Sequence, residues 1–453
     1  MKFRTDKDSL GNVKIPADVY YGPFTGRALK QYHVTGTTAH TNLIKSFVMI
    51  KHSAAISNIK LGAIDKKRGR AIVQACEKIL SGKYLDQFVV DAINSGAGTA
   101  FNMNTNEVIA NVALQVLHKK KGQYQFLHPN DHVNMSQSSN DTFPTAMHMA
   151  VLMNLKETIL AIDVFIKSLN KKAKQFSSYK KIGRTHLMDA LPVTLGSEFA
   201  AYVTSISKAR TSIENAKKEL EYVALGGTAV GSGANTPRGY RRIVLRELAK
   251  ISKLPLKPER DMQHALQSNF AVANLSAALR NLALEINKLT NDIRLMASGP
   301  IAGLAEIGIP AVHAGSSIMP GKVNPSLAEC MNMICFNIIG NDTTVAHAVQ
   351  GGQFELNVML PVMLKCVLES TDMLKNFLPI FSANLIDGLT ANKEKLQKNI
   401  EKSPVIVTLL TPKIGYLKSA ELFKESLKTG KTIREIVVSK KLLTNNQINS
   451  LFR

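Results

Sequence analysis

The chain has 453 residues, 45% of them hydrophobic, with 57 Lys and Arg against 34 Asp and Glu and a formal charge of +23. This hydrophobic share supports a packed core and excludes a disordered chain, and the length suits about two to four domains. The charge would attract nucleic acid, anionic membranes or small anions alike. However, the basic runs "HKKKGQ", "NKKAKQ" and "PRGYRR" have no aromatic-rich platform beside them, so no nucleic-acid partner is expected.

The first residues, "MKFRTDKDSLG", are charged from the second position and lack an apolar leader segment. No later run approaches the roughly 18 apolar residues of a membrane span. A cytoplasmic protein without a membrane partner is therefore expected. The four cysteines form no CxxC pair and have no histidines at zinc-finger spacing, which predicts reduced core thiols without a disulfide framework or structural zinc.

Taken in chain order, residues 1–137 mix turn signals such as "KIPADVYYGP" with helical stretches near 43–61 and 67–80, and predict a small, mostly helical N-terminal domain. At "SQSSNDTFPTAMH" the pattern changes. Asn140 or Asp141 is placed to cap a helix, Pro144 falls near its first turn, and the helix is expected to run past Phe165. Apolar-rich stretches at 197–224, 327–345 and 356–381 supply further helices of a central bundle spanning 138–394. Within it, Leu275, Leu279, Leu282, Ile286, Leu289, Ile293 and Met296 alternate spacings of four and three, forming a narrow apolar seam. No glycine or proline interrupts Glu259 to Ser298, which predicts one helix about 60 Å long and, from that length, a bundle shared between subunits. Residues 395–453 read as short helices joined by Pro, Gly and Asn turns, a small C-terminal domain. No GxGxxG or GxxxxGK loop is present, so Rossmann and P-loop chemistry is not expected.

Four segments are dense in small polar residues: "SGAGTAFNMNTNE" (95–107), "HPNDHVNMSQSSND" (128–141), "KIGRTHLMDALP" (181–192) and "GSSIMPGKVNP" (315–325). They offer hydroxyls, amides, an imidazole and cations. They lack the clustered carboxylates or cysteines that metals require, so neither metal nor cofactor is expected. The inventory suits a small dicarboxylate held by charge-assisted hydrogen bonds. Singly, Thr99, Ser138, Ser139 and Asn140 also read as turn or cap residues, His186 as a structural histidine and Lys322 as a solvated cation. Four such segments in one chain weigh more than any one residue.

These residues resemble the fumarase/aspartase superfamily, whose "GSSxMPxKxNP" signature is matched in full by Gly315 to Pro325. The likeness runs from "DKDSLGNVKIPADVYYG" to "TGKTIRE" and takes in "LHPNDHVN", "SQSSND" and "KIGRTHL". It implies a mainly α, three-domain fold whose long helices form a twenty-helix core in a homotetramer. It also implies active sites shared between three subunits, and reversible anti-elimination from a succinyl compound to give fumarate. By the same resemblance Ser316 is the base, and Lys322 and Asn324 hold the carboxylate beside the departing proton. Thr99, Ser138, Ser139, Asn140, Thr185 and His186 bind the other carboxylate and the leaving group, and Glu329 pairs with the histidine. His128, Asn130 and Asp131 correspond to a second, non-catalytic anion site.

Two branches of the family differ in leaving group, ammonia or water. "YYG", "DQFVVDAINSGAGT", "NTPRGY", "DIRLMASGP" and "LTANKE" resemble the aspartate ammonia-lyase branch, and Ala97 stands where fumarases usually carry a serine that helps hold water. "SQSSND", "ALGGTAVG" and "FELNV" resemble the fumarate hydratase branch. Loss of a buried hydroxyl partner for water favours ammonia, with fumarate hydratase as the alternative. Ile301 replaces an arginine usual in both branches, and Phe24 replaces a glutamine. A non-catalytic helical oligomer that binds anions is the reading from another class.

Overall fold

A computed structural model of the chain describes residues 2–315, 317–444 and 447. The fold is mainly α. It opens on an antiparallel hairpin of β1 (Phe3–Asp8) and β2 (Gly11–Pro16), in which Val13 and Ile15 point inward and their neighbours face outward. Helix α1 (Pro23–Gln31) starts on a proline, where the missing N–H has no helical partner to lose. Helices α2 (Thr41–Lys60) and α3 (Lys66–Leu80) start from side-chain caps: His40 accepts the Asn42 N–H and Asp65 the Arg68 N–H.

Then follow α4 (Thr99–Val116), α5 (Ser139–Gln175), the hairpin β3 (Lys180–Thr185) and β4 (Met188–Thr194), α6 (Leu195–Glu219) and α7 (Tyr240–Ser252). A short helix, α8 (Met262–Gln267), precedes three long ones, α9 (Phe270–Met296), α10 (Ser326–Gln350) and α11 (Leu360–Phe381). The chain closes with α12 (Lys393–Lys402), α13 (Thr411–Ile414), α14 (Tyr416–Thr429) and α15 (Ile433–Ser439).

The helix expected over 259–298 is interrupted. The Leu266 carbonyl accepts the Asn357 N–H, ending α8, and the Asn269 carbonyl accepts from Val272 and Ala273 to start α9. Helix α9 has 27 residues and is therefore about 40 Å long. Its seam is as expected, with all seven residues from Leu275 to Met296 buried. The cap of α5 also differs from expectation. Ser138 caps the helix through its hydroxyl, which accepts the Asn140 N–H, and the Asp141 carboxylate reaches back to the Ser138 N–H, a reciprocal capping box.

Two compact units divide the chain. The first comprises Met1–Leu160, Ala209–Ala283 and Phe336–Lys375. Helix α2 packs on α3 and α7 there, and Phe47 sits edge-on to Phe101 and Phe143. The second comprises Ala161–Lys208, Leu284–Cys335 and Asn376–Arg453. In it Ile182 of β3 joins Ile406, Leu410, Leu422 and Ile436 in one apolar cluster, which anchors the β3–β4 hairpin. No helix among the described residues is long and apolar enough to cross a membrane.

Candidate active site

In the first unit, Thr99 opens α4 directly after Ala97 and Gly98, both in the left-handed region at φ 53° and 60°. Gly98 has no alternative, because a Cβ there would lie 1.9 Å from the Phe143 ring. Ala97 is buried, and its N–H donates to the Val358 carbonyl at 2.8 Å. The turn delivers the Thr99 hydroxyl to 3.2 Å from the Ser139 hydroxyl, and the Asn140 amide donates to the Ala229 carbonyl at 2.9 Å. Thr99, Ser138, Ser139 and Asn140 are thus brought together where two long helices, α4 and α5, begin. The positive ends of both helix dipoles make this a suitable seat for a carboxylate.

A buried polar layer fixes these residues in place. The Asp141 carboxylate, fully buried, accepts N–H groups from Ser138 (2.9 Å), Gly226 and Thr228 (3.0 Å each). Burial pushes its pKa up to about 6 against the pull of those donors. Lys51, also fully buried, donates to the Asn102 and Asn134 amide oxygens at 2.8 Å each, and burial pulls its pKa down to about 7. Glu107 accepts the N–H groups of Gly22, Phe24 and Thr25 at the start of α1, and burial raises its pKa.

Sequence reasoning marked the segment holding Asn102 and Glu107 but gave neither residue a part, and it gave Lys51 none. The available signal was an amide-rich stretch, "NMNTNE", inside a helix whose remaining residues are mostly apolar.

His128 and Asn130 line a cavity of about 690 Å³ together with Thr99. The His128 Nδ1 accepts the Asn130 and Asp131 N–H groups at 3.2 and 3.3 Å, which places the ring proton on Nε2. The 3.4 Å approach of the Asp131 carboxylate to the same Nδ1 is therefore a contact rather than a charge pair. Asp131 itself is exposed.

In the second unit, Thr185 pairs with Met188 across a two-residue turn, His186–Leu187, with both residues at positive φ (55° and 60°). This is the twist a tight hairpin requires, imposed on residues that do not favour it, and it holds the Thr185 and His186 side chains outward at the tip. Strong ionic contacts brace the hairpin. Glu306, fully buried, lies 2.8 Å from the Lys181 ammonium and 2.7 Å from the Arg184 guanidinium. Burial alone would raise the Glu306 pKa, yet these two cations hold it below the ordinary range.

Ser316 lies outside the described residues. In the rest of its loop, Gly315 passes so close to the Lys322 carbonyl that a Cβ would lie 1.8 Å from that oxygen, so a glycine is obligatory there. Lys322 and Asn324 line a cavity of about 950 Å³ with Arg294, Ser298 and Thr390. Glu329 sits in the first turn of α10, where its charge suits the helix dipole. Among the described residues, no hydrogen bond or ion pair joins Thr185 or His186 to Lys322, Asn324 or Glu329. No group of three His, Cys, Asp or Glu side chains among them is placed to hold a metal.

Residues 11–340 match the family described as Lyase, and residues 406–453 match the Fumarase C C-terminus. An aspartate ammonia-lyase of a Bacillus species is 44% identical over 99% of this chain and 96% of its own length. The aspartate ammonia-lyase of Escherichia coli K12 is 41% identical over 99% and 95%. The crystal structure of a class II fumarase from Schistosoma mansoni superposes with a TM-score of 0.96 at 35% identity, covering 100% of this chain and 98% of that one. The chain belongs to the fumarase/aspartase family of lyases.

Proposed function

We propose that the protein is an aspartate ammonia-lyase, a cytoplasmic homotetramer that converts L-aspartate reversibly to fumarate and ammonia. The observation that carries this reading is the carboxylate seat at the α4 and α5 N-termini, built beside a buried Ala97 that has no hydroxyl to offer a reacting water. The near full-length likeness to aspartate ammonia-lyases supports it.

In the proposed reaction Ser316 takes a proton from C3, the electron pair moves toward the C4 carboxylate, and an aci-carboxylate forms. Lys322 and Asn324 hold its added charge, and such preorganised stabilisation is usually the largest catalytic contribution. The C2–N bond then breaks and ammonia leaves, while Thr99, Ser138, Ser139, Asn140, Thr185 and His186 hold the other carboxylate and the departing nitrogen. Glu329 pairs with His186, and His128, Asn130 and Asp131 form a second anion site. A fully charged serine is unfavourable at neutral pH, so backbone N–H groups of the glycine-flanked loop must stabilise the alkoxide.

Exposed apolar side chains support an assembly in which subunits complete each other's sites: Leu187 and Met188 on the hairpin, Leu284 and Leu295 on α9, and Met333 and Phe336 on α10. A twenty-helix core and a three-domain layout, 1–137, 138–394 and 395–453, belong to the same proposal. Ser139, whose hydroxyl stands where the aspartase branch usually has threonine, keeps fumarate hydratase as a second reading.

The test follows fumarate by ultraviolet absorbance with L-aspartate as substrate. Wild type is expected to turn over, and Lys322→Met to lose about a thousandfold in kcat, the scale of one lost oxyanion donor. Full activity in Lys322→Met or Ser316→Ala would remove the mechanism.

A further inference from the structure

The basic run Pro237–Arg242 has no part in the proposed elimination, yet it borders a cavity of about 820 Å³ within the first unit. Five arginines line this cavity (Arg238, Arg241, Arg242, Arg246 and Arg260) against a single carboxylate, Glu259. Arg246 approaches Glu247 at 3.6 Å. The side chains of Arg238, Arg242 and Arg260 have no hydrogen-bond or ion-pair partner among the described residues.

Arg241 is built in differently. Its stem runs under Gly226, where a Cβ would lie 2.9 Å from the Arg241 Cβ and Cγ, and its Nη2 donates to the Glu259 carbonyl. Its Nε is buried and has no partner. A buried guanidinium donor without an acceptor is rare in a folded protein unless a ligand supplies one.

The cavity wall is tightly packed. Gly231 presses so closely on the Met262–Gln263 backbone that a Cβ would meet it at 2.8 Å. The same loop reaches the carboxylate seat, because Gly226 and Thr228 donate to Asp141 and the Ala229 carbonyl accepts from Asn140. The volume falls within the range of small-molecule sites. Forked guanidinium donors match phosphate oxygens two at a time, and four arginines with donors to spare offer more than one dicarboxylate can accept.

We propose that this cavity binds a polyphosphate-bearing anion, with Arg241 at its base and Arg238, Arg242 and Arg260 around its mouth. Since Gly226 touches Arg241 and bonds to Asp141, the occupant lies one loop away from the residues proposed to hold substrate.

Isothermal titration of the full-length protein tests this with two probes, sodium tripolyphosphate and ATP. Saturable binding of tripolyphosphate is expected. ATP binding no tighter than that identifies the phosphate chain as the whole ligand, whereas tighter ATP binding identifies a nucleotide. The Arg238→Gln/Arg242→Gln/Arg260→Gln variant changes only exposed side chains and is expected to bind at least about tenfold more weakly, since each lost contact is a charge-assisted hydrogen bond. A control with the same loss of charge elsewhere, Lys66→Gln/Lys83→Gln/Lys120→Gln, is expected to bind as wild type does. Absence of saturable heat with either probe at millimolar concentration, or equal weakening in both triple variants, would overturn the proposal. The titration involves no turnover, so its result stands apart from whether L-aspartate is the substrate.

Discussion

Replacing Lys51 with methionine gives a measurable pH signature. Lys51 on α2 is fully buried, its ammonium is held by two amide oxygens at 2.8 Å, and no carboxylate forms an ion pair with it among the described residues. Burial brings its pKa from 10.5 down to about 7. Between these values the unfolded chain binds a proton that the folded chain does not, so the folded state gains stability as pH rises. Summed over both titrations, this one group makes the protein about 2 kcal/mol more stable at pH 9 than at pH 7. Methionine has a similar unbranched stem and no charge. Its loss of the Asn102 and Asn134 contacts is nearly independent of pH and drops out of the comparison.

Urea unfolding followed by circular dichroism, at fixed protein concentration and at both pH values, measures the difference. Wild type should gain about 2 kcal/mol relative to Lys51→Met between pH 7 and pH 9. Parallel movement of the two midpoints would refute a desolvated lysine at this position.

Gly98→Ala should unfold more easily by at least about 2 kcal/mol and raise KM, because the new methyl displaces Phe143 or Thr99; unchanged melting would contradict the close packing. Asp91 takes N–H groups from Val34, Thr35, Gly36 and Ile93; burial opposes its ionisation, but these donors hold its pKa down to about 2. That stability, about 2 kcal/mol, is present above pH 4 and lost as pH falls toward 2, so Asp91→Asn should flatten the acid limb of the stability curve.

What could be read from sequence followed local physics. The apolar seam of α9 and the helical stretches that form α10 and α11 depend on spacing and residue type, and each appears in the structure. The break at Ser268–Asn269 could not be read, because it depends on an Asn357 N–H that captures the Leu266 carbonyl from far along the chain. The β3–β4 hairpin was hidden for a similar reason: His186 and Leu187 carry no turn preference, and tertiary anchoring through Ile182 and Glu306 imposes the conformation. Lys51 looks like any other cation in so basic a chain, and only burial distinguishes it. Composition marked Thr99, Ser138, Ser139 and Asn140 as unusual, but their convergence rests on Asp141 tying two distant backbone segments together.

The leaving group separates ammonia-lyase from hydratase chemistry. Purified protein should be given equal concentrations of L-aspartate and L-malate in separate reactions, with fumarate followed by absorbance and ammonia assayed in parallel. Fumarate and ammonia are expected in equal amounts from L-aspartate, with little or no fumarate from L-malate. Fumarate from L-malate alone would contradict that expectation.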